Sequence, residues 1–345
     1  MCKQSLKMAV VCIISVSMIF MMAGVAAAAK ELKIQLVYPQ ASGVAANTLF
    51  FADKVEKLTN GSVKIKIFYP DELVKEKEGL TAMQRGMIDG YIGSMLYFAG
   101  IVPEVNGEWL PFSWKSVSEA MDIYYSYGYL ELMRKATEKQ GCYYVAPISV
   151  SRMGLLTKFP INKVEDLKGK KIRAVGMEGK IVKALGGSSV SLAGAEQYTA
   201  LQRGTVDGTD YPWYTLRDYK FSEVVSYVSS PALHSPGIVE ILINNKVWDG
   251  LTPEEKNAIN TAGFLTSIHS ANLSEKNDSE IIEFCKNNNL TIIELPKEEV
   301  VKMIELLKPV YEEHIKSSEI CAKQVDILKS YFSSMKIEHP LFPTK

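Results

Sequence analysis

Short runs in which apolar and polar residues alternate give way, repeatedly, to stretches with an apolar residue every three or four positions. Residues 32–38 (LKIQLVY) and 63–69 (VKIKIFY) alternate as half-buried strands do, and 45–58 has helical spacing up to the stop signal Asn60-Gly61. The pattern predicts a helix through 80–85 ending at Gly86, a strand over 143–148, helices over 180–185 and 196–203, and a strand over 240–244. From Pro253 onward almost everything reads as helix, with long amphipathic runs at 253–287 and 298–335. Strand–helix alternation of this kind predicts an α/β fold with largely parallel sheets.

One phrase occurs twice. AMQRGMIDG at 82–90 and ALQRGTVDG at 200–208 share six of nine residues. Ala, Leu, Met, Gln and Arg favour helix, and the Gly after Arg suits the left-handed position that closes one. Asp-Gly and an apolar or aromatic segment follow, so each copy predicts a helix end, a tight turn and the start of a central strand. Two copies, 118 residues apart, are too few and too distant for a solenoid. They imply two lobes on one plan.

The ends and the composition narrow the class. Lys3 and Lys7, an apolar run over 8–25 and the small residues Ala26 to Ala29 form a secretory leader, expected to be cleaved. About 316 residues then remain, enough for two domains. The whole chain carries 39 basic and 39 acidic residues, and losing the leader's two lysines leaves a net charge of −2. That balance argues against nucleic acid or an anionic membrane surface as partner. Cys142, Cys285 and Cys321 are an odd set without metal-ligand spacing, so buried thiols are expected ahead of a Cys285–Cys321 bridge. No nucleophile elbow, phosphate loop or His-Glu-x-x-His motif occurs, and of the four histidines (234, 269, 314 and 339) three sit in helical or tail sequence without a triad partner nearby. Neither a catalytic constellation nor a cofactor or metal site is expected. Binding is the better reading than turnover.

Two arginines are candidates for anion recognition. Arg173 falls at the expected start of a strand after Asp166-Leu-Lys-Gly-Lys-Lys-Ile, and Arg152 follows the 143–148 strand. A guanidinium is a charged, rigid fork that matches a carboxylate with two hydrogen bonds. Aromatic residues follow each copy of the repeated phrase: Tyr91 and Tyr97 after the first, Tyr211 and Trp213 after the second. Strand ends of this kind are where α/β folds usually hold ligands. Tyr211 and Trp213 are expected as walls of a pocket.

The ordered set of Tyr69-Pro-Asp-Glu-Leu, Met83-Gln-Arg-Gly-Met-Ile-Asp89, Leu110-Pro-Phe112, Asp166-Leu-Lys-Gly-Lys-Lys-Ile-Arg173 and Tyr198-Thr-Ala-Leu-Gln-Arg-Gly-Thr-Val-Asp-Gly208 resembles the extracytoplasmic solute receptors of TRAP transporters, of the dicarboxylate-receptor type. The resemblance implies a two-lobed, type II periplasmic-binding-protein-like fold with two mixed sheets flanked by helices, a hinge and long C-terminal helices. It implies a periplasmic monomer, not an enzyme, that closes on a small organic acid and delivers it to the membrane subunits of an ion-driven permease; a receptor of the same fold feeding a chemosensory or two-component system is the alternative. Arg173 stands at the family's clamp arginine and Arg152 near its second cleft arginine. Tyr211 replaces the Asn that sialic-acid-binding members carry before the proline, which implies a less hydroxylated monocarboxylate, aromatic or branched. Tyr38, Ser94, Tyr97 and His234 complete the candidate set. The expected lobes are 30–150 with 239–276, and 151–238 with 277–345, hinged near 149–151 and 237–239.

Overall fold

The computed structural model describes residues 29–339 together with Leu341 and Phe342. The expected leader, Ala29 apart, lies outside the described residues. The strands in chain order are β1 (Lys30–Leu36), β2 (Val63–Phe68), β3 (Gly90–Gly93), β4 (Cys142–Ser149), β5 (Met153–Thr157), β6 (Lys171–Arg173), β7 (Ser188–Val190), β8 (Gly208–Pro212), β9 (Tyr227–Ser230), β10 (Ile238–Asn244) and β11 (Thr291–Glu294).

They form two sheets, β2-β1-β3-β10-β4 and β11-β9-β5-β8-β6-β7. In the first, β2, β1 and β3 are parallel, while β10 runs antiparallel to β3 and β4. In the second, β7, β6 and β8 are parallel, while β5 runs antiparallel to β8 and β9. The two sheets therefore repeat one order, with β11 added to the edge of the second. Both are mixed, because each takes its antiparallel strand from a chain crossing: β5 follows β4 out of the first sheet, and β10 returns from the second.

The crossings are tied together. Val150 N–H donates to Gly237 O at 3.0 Å and Gly237 N–H to Ser151 O at 3.1 Å. The helix Pro253–Asn287 runs beside them, its Ser270 and Ser274 hydroxyls accepting from Ser149 and Ser151 N–H at 3.0 Å each. A Thr252–Glu255 capping box opens that helix. The C-terminal run is two helices, Lys297–Ser317 and Glu319–Ser334, because Ser318 is extended and its hydroxyl caps the second. The last helix packs on the first sheet's side, away from the half to which residues 277–345 were expected to belong. Gln324 donates to Glu104 O at 2.9 Å, and Ser334 meets the Tyr127 hydroxyl at 2.8 Å.

Both copies of the repeated phrase build the same junction. The helices Gly79–Gln84 and Gln197–Gln202 end at Arg85 and Arg203, and Gly86 and Gly204 follow at φ +71° and +72°. Asp89 accepts from Lys33 N–H at 2.8 Å and its own N–H donates to Lys33 O at 2.9 Å. Asp207 does the same to Lys171, at 2.8 and 2.7 Å. Each aspartate thus registers a central strand against its parallel neighbour. Cys142, Cys285 and Cys321 are unpaired and buried. Among the described residues no helix is long and apolar enough to cross a membrane.

Candidate ligand cleft

A nearly closed cavity of about 20 Å³, with room for little more than a water, lies between the two sheets, where the segments after β3 and β8 converge. Five of the eight candidate residues line it: Tyr38, Ser94, Tyr97, Arg173 and Tyr211. Arg173 ends the three-residue strand β6 rather than starting a strand, and it is 1% exposed. Nε donates to Leu192 O at 3.1 Å, Nη1 lies 3.4 Å from Glu178 Oε2, and Nη2 donates to the Tyr97 hydroxyl. Its guanidinium carbon sits 5.7 Å from the Tyr97 ring centre and 5.1 Å from that of Tyr211, within cation–π range of both. Tyr97 belongs to the first half and Tyr211 to the second. A second contact between halves runs from Gly194 N–H to Glu76 Oε2, at 2.9 Å.

The sequence explains how these side chains are held. Ser94 accepts from Leu96 N–H at 3.2 Å and caps the short 3-10 helix Met95–Phe98 that carries Tyr97. Glu178, in the first turn of the helix Gly176–Ala184, accepts from Val175 N–H at 3.0 Å while facing Arg173. Burial pushes the Glu178 carboxyl up to about 7, with Arg173 pulling the other way. It also lifts Glu76, against the pull of the Gly194 N–H and Arg173, and lifts Asp210 well above the usual carboxylate range. Desolvation favours the neutral form of each acid. The arginine stays charged: its pKa is raised because Tyr97 and Glu178 outweigh the desolvation that would lower it. The phenols of Tyr38, Tyr97 and Tyr211 are raised by burial and stay neutral.

Three candidates are not in this lining. Arg152 lies in a separate outer cavity with Lys115, Glu275 and Asp278; its side chain is 46% exposed, with Nε 3.6 Å from Asp278 Oδ2. Trp213 belongs to the apolar core of the second half, behind Gly154, instead of forming a pocket wall. His234 sits behind Trp109, edge-on at 5.4 Å between ring centres, and burial drives its pKa down to about 3. Its Nε2 is 3.9 Å from the buried Asp210 carboxyl group.

Trp109, Glu178 and Tyr214 line the cavity without having been singled out. Glu178 carried a signal: an acid three residues after Val175 is the spacing of a helix N-terminal cap. Glu76 carried none, since Lys75-Glu-Lys-Glu78 reads as a solvated charge run until Gly194 closes over it.

The comparisons agree with this architecture. The 2-oxoacid-binding periplasmic protein of Nostoc sp., a monocarboxylate binder by name, is 27% identical over 71% of this chain and 67% of its own. An apo, open TRAP periplasmic solute-binding protein from Rhodobacter sphaeroides is 28% identical with TM-score 0.67, over 89% of this chain and 98% of that one. A TRAP periplasmic solute-binding protein from Desulfovibrio salexigens with bound orotic acid shares the fold at TM-score 0.82 and 22% identity, over 88% and 99%. The family model for DctP, the bacterial extracellular solute-binding proteins of family 7, matches residues 36–318. With two sheets of one plan around a single cleft and that match across most of its length, the chain belongs to the DctP family and is a TRAP-type solute receptor.

Proposed function

We propose that this receptor captures a small monocarboxylate between its halves, pairs the acid's carboxylate with Arg173, and presents it in the periplasm to the membrane subunits of an ion-gradient-driven permease. The observation that carries the reading is the buried Arg173 guanidinium facing a cavity ringed by tyrosines from both halves. Burial lifts its nearest acids, Glu178 and Glu76, which weakens their competition with an incoming anion for the arginine. A bidentate carboxylate offsets the desolvation of both ions where a single contact would not. One arm of the fork now meets the Tyr97 hydroxyl, which can turn to donate to a bound acid.

The other end of the ligand meets ring faces and few polar groups. Tyr211, Tyr214 and Trp109 favour an aromatic or branched body over a polyhydroxylated one. The Nostoc relative's 2-oxoacids and the Desulfovibrio protein's orotic acid are carboxylates of this compact kind. Closure is a hinge motion about 149–151 and 237–239, driven by contacts that exist only when the halves meet: Tyr97 to Arg173 and Gly194 to Glu76. One lobe is 30–150 with 239–276, with the helix Glu319–Ser334 riding on it; the other is centred on 151–238. The mature protein, cleaved after the leader, acts as a monomer.

Titration calorimetry of the mature chain with orotate, 2-oxoisovalerate, pyroglutamate, succinate and N-acetylneuraminate tests this. At least one of the monocarboxylates lacking a polyol chain binds at micromolar affinity or better. Arg173→Ala weakens it by about 2–5 kcal/mol, the penalty for leaving a buried anion unpaired. Arg152→Ala changes it by less than about 0.5 kcal/mol. Wild-type affinity in Arg173→Ala, or no binding by orotate, 2-oxoisovalerate or pyroglutamate, rules the reading out.

A further inference from the structure

Below the cleft, in the first half, two acidic side chains meet out of contact with solvent. Glu240 follows the lining residue Val239 on β10, and Glu108 precedes the lining residue Trp109; they are 0% and 1% exposed. Glu108 Oε1 accepts from the Tyr144 hydroxyl at 2.6 Å and from that of Tyr124. Glu240 Oε2 accepts from Met95 N–H at 2.7 Å. The other two oxygens, Glu108 Oε2 and Glu240 Oε1, are buried without a donor. The two acids lie within each other's electrostatic reach. One proton held between the two unpartnered oxygens would satisfy both, since a neutral acid donates where a carboxylate only accepts.

No base nearby could take that proton. The groups facing the pair are phenols: Tyr91 from β3, Tyr144 from β4, and Tyr124 and Tyr129 from the helices Val117–Ser126 and Tyr129–Glu138. The C-terminal helices bring Tyr311, bonded to Pro111 O, and His314, bonded to Gln324. His234 faces the far side of Trp109. None of the strongest electrostatic influences on either carboxyl is a lysine, an arginine or a histidine.

We propose that Glu108 and Glu240 share one proton and act as a positioning pair for the segment 94–97. Glu240 holds the Met95 N–H, one residue after Ser94 and two before Tyr97, and Glu108 holds Glu240 in place. The consequence for ligand affinity rests on Tyr97 contacting the bound acid, as argued above. Removing the shared proton places two negative charges within each other's electrostatic reach, with no strong cationic influence to offset them. The pair must then part or admit water, and the Met95 anchor goes with it. Burial and the charge of its partner both push Glu240 up, so the shared proton is held more tightly than by a free carboxyl and is lost only as the pH rises.

The test needs no ligand, so its outcome is independent of whether any acid binds. The mature chain, Glu240→Gln and Glu240→Leu are compared by infrared spectroscopy and by amide exchange of Met95 at about pH 6 and about pH 9. The wild type shows a buried carboxylic acid band, and Met95 protection, corrected for intrinsic rates, falls more than about tenfold between the two pH values. Glu240→Gln donates to Glu108 and still accepts from Met95; it loses part of that band and keeps Met95 protected at both pH values. Glu240→Leu cannot accept from Met95 and leaves it about tenfold less protected throughout. If that variant does not fold, Glu108→Gln serves in its place, with the same band loss and the same pH-independent protection as Glu240→Gln. An unchanged acid band in Glu240→Gln overturns the proposal, as does wild-type Met95 protection in Glu240→Leu. A failure of Arg173→Ala to weaken binding, with the Met95 results intact, would remove the link to affinity and leave the positioning pair standing.

Discussion

The two copies of the repeated phrase are alike up to their final glycine and different immediately after it. In each, the helix ends at an exposed arginine, a glycine turns the chain at φ near +70°, and an aspartate clasps the neighbouring parallel strand at 2.8 Å. Beyond the glycine, β3 leads to Ser94 and a 3-10 turn bearing Tyr97, which reaches Arg173 through its hydroxyl. β8 instead presents Tyr211, which offers Arg173 a ring face, and then Tyr214. The junction delivers a strand end to the cleft, and the residues downstream decide what that end does there. Stability should therefore respond to changes inside the phrase, and binding to changes just past it.

The largest expected effect is at the closing glycines. A Cβ at Gly90 would stand 2.5 Å from Leu242 O and 2.4 Å from Ile34 Cδ1; at Gly208 it would stand 2.8 Å from Leu156 O and 2.6 Å from Thr157 Cγ2. Both collisions involve backbone of the adjacent strand, which cannot swing aside. Gly90→Ala should cost about 3 kcal/mol in urea denaturation, and Gly208→Ala somewhat less. A cost near zero at either site would break the equivalence.

Downstream of the phrase the balance reverses. Tyr211→Leu keeps an apolar wall but removes the ring facing Arg173, and should weaken acid binding by about tenfold with little change in stability. Tyr97→Phe loses the hydroxyl that bridges the halves, and a loss of similar size is expected. Equal losses of stability and binding would mean that these residues are scaffold. The smallest effects belong to the phrase's polar residues. Asp89→Ala and Asp207→Ala should each cost about 1 kcal/mol, because each frees one strand N–H at a half-exposed position. Arg85→Ala and Arg203→Ala should be neutral to within about 0.5 kcal/mol.

Much of this plan was legible in the sequence because local chemistry encodes it. The phrase specified its helix end, turn and strand, and 253–287 was bounded by a capping box at one end and a turn at the other. What failed to appear depends on contacts between distant residues. The helices Val117–Ser126 and Tyr129–Glu138 are rich in tyrosine, whose packing against Trp114 blurs the period of their buried faces. β11 is a four-residue edge strand that pairs with β9 alone, and nothing in its own residues announces that register. Arg173 stood out through its motif. Arg152 resembled it in type, yet Asp278 draws its side chain toward solvent, and no local pattern records that. The acids that tune Arg173 are separated from it by 5 positions (Glu178) and by about a hundred (Glu76), so only the nearer one left a trace.

The measurement that bears most directly on the whole account is a crystal structure of the mature protein with the tightest-binding acid of the calorimetric panel. The account predicts the carboxylate on the Arg173 guanidinium, with the Tyr97 hydroxyl turned toward it and the Tyr211 ring against the ligand body, so that the strands from both copies of the phrase end on one molecule. An acid seated in the outer cavity beside Arg152 and Asp278, or held by residues of one half alone, would contradict it.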